Sequence, residues 1–205
     1  MELVVSQYTK TIQGNTVLDR IDLNMTGGRI YGLRGENGSG KTMLLRAICG
    51  LIRPTGGFVE INGARLTEFP QSVGILIEEP DFIQGYTGLK NLLSIARIKG
   101  IAHKEDVENV LTEVGLNPGD KRPFRKYSLG MKKRLGVACA LMENPDLILL
   151  DEPFNGLDEK GITLVASAIK KRADAGALCI VACHDRAILE EIADAVILIE
   201  AGRTQ

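Results

Sequence analysis

Between Gly35 and Thr42 the chain reads GENGSGKT, a full match to G-x-x-x-x-G-K-[ST]. Gly35, Gly38 and Gly40 let the backbone curl until its N–H groups point inward at phosphate oxygens. Asn37 and Ser39 fill the loop between them. Lys41 is placed to bridge adjacent phosphates, and Thr42 offers a hydroxyl to Mg2+. RIYGL before the loop reads as a strand and KTMLLRAICG after it as a buried helix with a glycine stop, so a helix N-terminus adds partial positive charge.

A second chemical cluster lies in DLILLDEPFNGLD, Asp146 to Asp158. Asp151 ends an apolar run, where a strand-end carboxylate can hold Mg2+ through its water shell. Glu152 follows directly. Two neighbouring acids repel unless a cation lies near them, and the functional division is metal ligand for Asp151 and general base toward water for Glu152. His184 ends the apolar run IVAC on the same kind of strand edge and can donate to a terminal phosphate. A third stretch, KYSLGMKKRLG, spans Lys126 to Gly136. Ser128 stands just before a helical stripe. A simple helix cap explains Ser128 alone, and is commonly worth about 1 kcal/mol, but Ser128 with Gly130 at a helix start also suits an anion.

Short apolar runs alternating with helical patterns give an α/β fold. Expected strands are Leu3–Val5, Val17–Met25, Arg29–Leu33, Phe58–Ile61, Val73–Ile77, Leu147–Leu150, Cys179–Cys183 and Ala195–Ile199. The runs LILL and CIVAC are continuously apolar, as parallel strands buried on both faces are. Three helical stripes crowd between Thr87 and Met142 with no strand among them: Leu89/Leu92/Leu93/Ala96, Val107/Val110/Leu111/Val114 and Met131/Leu135/Ala138/Cys139/Met142. The expected layout is one domain, 1–205, with a core of 1–84 and 143–205 and a helical subdomain of 85–142.

Composition narrows the function classes. The chain has 205 residues, 44% hydrophobic, 4% aromatic, no Trp and a net charge of −1, so it has neither stacking platforms nor a basic field for nucleic acid. The N-terminus lacks the basic and apolar regions of a secretory signal, and no apolar run is long enough to span a bilayer. Cys49, Cys139, Cys179 and Cys183 sit among apolar neighbours with no C-x-x-C pair, as reduced core thiols do. The basic cluster Lys121–Lys126 reads as a solvated face.

The phosphate loop, YSLGMKKRL (Tyr127–Leu135), LILLDEP, NGLD (Asn155–Asp158) and ACHD (Ala182–Asp185), in that order, resemble the ATP-binding subunit of ABC transporters over roughly Leu3 to Gly202. The SLGM form of the signature resembles the bacterial branch of ABC-2-type exporters that includes bacitracin- and lantibiotic-resistance systems. The resemblance implies a P-loop NTPase fold with a RecA-like parallel sheet, N-terminal antiparallel strands and a helical subdomain bearing the signature. It implies Mg2+-dependent ATP hydrolysis as the motor of a transporter, with Glu152, His184 and Lys41 catalytic. Two copies would associate head to tail. Ser128, Leu129, Gly130 and Met131 would then serve the partner's ATP, and Asp158 would reach across the interface. The permease would be a separate integral-membrane chain, contacted through Pro80–Gly88, with this subunit cytoplasmic on the inner face of the membrane. A soluble ABC-type ATPase with a non-transport role is the alternative.

Two positions depart from the family pattern. Where most members carry Gln, this chain has Glu78, a hard anionic ligand that can join Thr42 and Asp151 on Mg2+. The adenine-stacking aromatic is replaced by Ile12, with Tyr8 four residues earlier, so either Ile12 packs against adenine or Tyr8 stacks on it. Nothing in the sequence explains Phe154 or Met131.

Overall fold

A computed structural model describes all residues, Met1–Gln205, as two sheets with helices against the larger one. β1 (Glu2–Ile12) and β2 (Asn15–Thr26) form an antiparallel hairpin turned at Gln13–Gly14, both at positive φ, the backbone twist that two-residue hairpin loops require. With β4 (Gly56–Ile61) and the short β5 (Ala64–Arg65) they make a sheet ordered β2-β1-β4-β5. β1 runs well past the expected Leu3–Val5, because register shifts after Val5 and after Tyr8 break the period-2 alternation that marks a strand in sequence.

The second sheet holds β3 (Arg29–Arg34), β6 (Val73–Leu76), β7 (Leu147–Asp151), β8 (Leu178–Ala182), β9 (Ala195–Glu200) and β10 (Arg203–Thr204) in the order β10-β9-β3-β8-β7-β6. All pairs are parallel except β10–β9. Every residue of β7 and β8 is buried, which is why their sequences carry no polar alternation. One apolar core fills the space between the two sheets and α1 (Lys41–Ile48); the other lies between the parallel sheet and the remaining helices.

Those helices are α2 (Gly88–Lys99), α3 (Lys104–Glu113), α4 (Leu129–Leu141), α5 (Glu159–Asp174) and α6 (Arg186–Ile192). α2, α3 and α4 match the three expected stripes. α5 was not expected: its buried face, Val165, Ala168, Ile169 and Ala173, is rich in small residues and weak as an apolar signal. α4 rests directly on β6, since a Cβ at Gly74 would collide with the Ala140 carbonyl oxygen. Phe154, 4% exposed, fills the core above β7, and Met131 packs partly against the same cluster. The basic cluster is more than a solvated face: Phe124 within it is buried, rings with Phe82 at 5.3 Å and donates its N–H to the Tyr86 carbonyl.

The C-terminal end of α3 is tied to α5 by Glu113, which accepts from the buried Arg172 at 2.7 Å and pairs with Lys171. Partial burial works to raise the Glu113 pKa, but hydrogen bonds from Lys171 and Arg172 outweigh it and hold the carboxyl below its ordinary 4.5. A folded value below the unfolded one stabilises the fold above the ordinary pKa, and that stability is lost as pH falls through the folded value. Glu113→Gln is therefore expected to cost about 2 kcal/mol at pH 7, mainly by leaving the Arg172 guanidinium unpaired. In denaturant titrations at successive pH values, the gap from the parent protein should shrink below about pH 4.5.

Candidate functional site

Three adjacent parallel strands deliver the site. β3 runs into the phosphate loop, β7 ends at Asp151 and β8 leads to His184. Their ends are level: Asp151 pairs with Ala182 in register, and the Cys183 N–H donates to the Leu33 carbonyl at 3.1 Å. Ligand crevices of open α/β sheets lie beyond this carboxyl edge.

In the loop, Gly38 and Gly40 take φ of 81° and 113°, values that side chains rarely adopt. A Cβ at Gly35 would lie 2.5 Å from Ser39 Oγ, so the loop closes tightly on itself. The N–H groups of Gly38, Gly40, Lys41 and Thr42 have no acceptor within the chain. Lys41 is 6% exposed, and its ammonium donates to the Gly35 and Glu36 carbonyls at 2.7 and 3.0 Å. The buried Ser39 Oγ has no partner at all. Free amides, an orphan hydroxyl and a near-buried ammonium within one loop are a donor set for a polyanion.

The two acids part ways. Asp151 is buried and accepts from Thr42 Oγ1 at 2.6 Å. Glu152 sits at φ 47° with its N–H on the Ala182 carbonyl at 2.8 Å, so the chain turns out of the strand immediately after Asp151. Left-handed backbone costs a non-glycine residue about 1–2 kcal/mol. Its effect here is to aim the second carboxylate elsewhere: Glu152 Oε2 lies 2.8 Å from His184 Nδ1. The hydroxyl–carboxylate pair of Thr42 and Asp151 is a hard-oxygen set suited to Mg2+, an ion that keeps several waters and phosphate ligands and needs few protein groups.

Glu78 does not join that pair. It follows β6 at φ 67°, its side chain is mostly exposed, and its carboxylate is ion-paired with Arg46 of α1. In this conformation the partner of the Glu78 carboxylate is a guanidinium one helical turn beyond Thr42. Tyr8 faces inward. It is 1% exposed in the core between the sheets, its hydroxyl donates to the Ile52 carbonyl at 2.9 Å, and burial pushes its phenol up to about 12. A ring held there offers no face to a nucleotide base. Ile12, 40% exposed at the β1–β2 turn and paired with Asn15, remains available.

Two cavities adjoin the loop. One of about 420 Å³ is lined by Gly40, Lys41, Thr42, Asp151 and Glu152 on one side and Thr16 and Val17 on the other. A second, of about 620 Å³, lies between Gly35–Ser39, His184 and Leu198–Ala201. Ala201 borders both, and it and Gly202 were not singled out in the sequence, where AGR looks like any turn. Ser128, Leu129, Gly130 and Met131 border neither cavity. Ser128 caps α4, its hydroxyl accepting from the Met131 N–H at 3.2 Å, while Leu129 is exposed. A Cβ at Gly130 would stand 3.0 Å from the Gly156 carbonyl, so this helix start packs on the loop ahead of Asp158. Asp158 is exposed and caps α5 through Gly161 at 2.9 Å. The four cysteines are free, and burial raises each thiol pKa, to about 12 for Cys179, leaving them unreactive.

The family described as ABC transporter matches residues 18–155. The chain is 41% identical to the ABC transporter ATP-binding protein YybJ of Bacillus subtilis (strain 168), over 98% of this chain and 94% of that protein. It is 38% identical to the bacitracin transport ATP-binding protein BcrA of Enterococcus faecalis (98% and 68% covered), and 31% identical to the lantibiotic transport ATP-binding protein SrtF of Streptococcus pyogenes (98% and 88%). A dimeric post-hydrolysis structure of the ATP-binding cassette MJ0796 with ADP and Pi superposes with a TM-score of 0.89 at 23% identity, covering 99% and 96% of the two chains.

The placement of Tyr8 and Ile12 makes a paired prediction. Tyr8→Phe should lower stability by about 1 kcal/mol, the loss of one buried hydrogen bond, and leave the ATP dissociation constant unchanged. Ile12→Ala should leave the melting temperature nearly unchanged and weaken ATP binding severalfold. Thermal melts and calorimetric titration of both variants check it.

Proposed function

The chain belongs to the ABC transporter family as an ATP-hydrolysing P-loop enzyme, and from that premise we propose that it is the motor subunit of a bacterial exporter of the bacitracin- and lantibiotic-resistance type. The observation that carries this reading is the separation of two anion-binding features. The free amides, Lys41 and the acid pair surround one concavity, while Ser128 and Gly130 border none of it. A second copy placed head to tail would bring its Ser128–Met131 segment over the first copy's ATP, and the dimeric MJ0796 cassette with a closely similar fold supports such pairing.

In this reading the amides of Gly38, Gly40, Lys41 and Thr42 and the Lys41 ammonium hold the phosphates, and the orphan Ser39 hydroxyl finds its partner there. Lys41 leaves the Gly35 and Glu36 carbonyls for phosphate oxygens of higher charge. Thr42 and Asp151 would hold Mg2+, which supplies neutralisation of the phosphate charge. Glu152 accepts the proton of the attacking water, and His184, relinquishing Glu152, donates to the terminal phosphate. Ile12 covers the base. Asp158 reaches the partner across the interface. Residues 85–142 act as a helical subdomain swinging the signature, against a core of 1–84 and 143–205, and Pro80–Gly88 contacts a separate integral-membrane permease. No helix is long and apolar enough to cross a membrane. Attachment to the inner face of the membrane would run through that permease.

Glu152→Gln should lower the turnover number about 100- to 10,000-fold, the usual worth of a positioned base, and trap ATP. Light scattering of that variant should move from one chain to two on adding ATP. Lys41→Ala or Ser128→Arg, placed in the same background, should abolish the shift. If Ser128→Arg leaves both the shift and the parent ATPase rate intact, Ser128 is only a helix cap and the head-to-tail reading falls.

A further inference from the structure

The turn between β9 and β10 touches the phosphate loop and borders the cavity of Lys41, Thr42 and Asp151, and none of its residues was given a role above. Ala201 and Gly202 both take positive φ, 46° and 76°. The Gly202 N–H donates to the Ser39 carbonyl at 2.9 Å, and the Gly202 carbonyl accepts from the Asp19 N–H of β2 at 2.8 Å. Space is tight: a Cβ at Gly202 would lie 2.5 Å from the Val17 carbonyl oxygen, and a Cβ at Gly40 would lie 3.5 Å from Gly202 Cα. The Arg203 guanidinium fastens the turn to β2 through two bonds to Asp19 Oδ2, at 2.6 and 2.9 Å.

The consequence follows from peptide geometry. In a trans peptide the carbonyl of one residue and the N–H of the next point in opposite directions, and the chain has no cis peptide. Holding the Ser39 carbonyl on Gly202 therefore fixes the opposite direction for the Gly40 N–H, which has no acceptor in the chain. Glycine at 40, at φ 113°, leaves this peptide free to rotate unless something holds it. Nothing else in the chain donates to the Ser39 carbonyl. We infer that Gly202 is a positioning residue for the phosphate loop: its N–H locks the Ser39–Gly40 peptide so that the Gly40 amide faces a bound phosphate chain, with the Arg203–Asp19 pair as the fastener.

The inference rests on reading residues 35–42 as the phosphate cradle, and the test separates the two. Dissociation constants for inorganic tripolyphosphate and for ATP are measured on the parent, Lys41→Ala, Gly202→Ala and Arg203→Ala, each well below its own melting temperature. Gly202→Ala should weaken both ligands about tenfold, the worth of one charge-assisted hydrogen bond. Arg203→Ala should weaken them about two- to fivefold, as a partly exposed ion pair allows. In 15N-glycine-labelled protein the Gly40 amide resonance should move on adding tripolyphosphate to the parent and move far less in Gly202→Ala. A folded Gly202→Ala protein that binds tripolyphosphate as the parent does overturns the inference. If Gly202→Ala does not fold, an unchanged affinity in Arg203→Ala overturns it instead. A parent that binds no tripolyphosphate, or Lys41→Ala binding like the parent, strikes the cradle reading rather than the brace.

Discussion

A backbone N–H can hold a phosphate only if nothing inside the protein already accepts from it. Unpaired amides near the surface of a folded chain are costly when no ligand or water meets them, so a loop that keeps four of them free in one place needs every other contact to hold it still. Here that burden is carried by neighbours. β3 fixes the entry, the first turn of α1 fixes the exit through Leu44 N–H on the Gly40 carbonyl at 2.8 Å, and the Ser39 N–H is satisfied within the loop by Glu36. The Lys41 ammonium occupies inward carbonyls rather than standing uncompensated, which keeps a nearly buried charge solvated by dipoles.

The same economy governs the acids. Had the strand continued, the successive residues Asp151 and Glu152 would have pointed to opposite faces of the sheet. The left-handed turn at Glu152 instead takes the chain out of the strand at a modest backbone cost, leaving Asp151 on the Thr42 hydroxyl and Glu152 on His184. Strain of this kind persists where surrounding structure over-determines it, and the Glu152 N–H on Ala182 of the neighbouring strand provides that. In the proposed cycle the His184–Glu152 contact is the bond exchanged for phosphate and water contacts, so the resting geometry stores both catalytic groups within reach of the site.

The mechanical reading grows from packing. α4 lies on the bare backbone of β6 at Gly74 and carries Ser128 at its start, and that start abuts Gly156 in the loop leading to Asp158. A displacement of the helical segment therefore moves the two segments proposed to face a partner together. Glu113 ties the far side of that segment to α5 through a buried guanidinium, which limits how it can move.

Much was legible in the sequence because the signals were local. GENGSGKT specifies its own turn through three glycines, and LILLD and CIVAC declare buried parallel strands by being apolar throughout. The three helical stripes between Thr87 and Met142 follow from a 3.6-residue period. What the sequence could not decide were contacts between segments far apart in the chain. Tyr8 looked available for a base until a bulged β1 turned it into the core against Ile52. Glu78 found its partner only when the fold brought Arg46 of α1 to it. Gly202 looked like an ordinary turn residue until β10 closed beside β9 and laid its N–H against Ser39. Periodicity and motif spacing encode which way a residue faces relative to its neighbours in sequence; the partner that occupies its charge or hydrogen bond is set only when the sheets close and distant backbones meet.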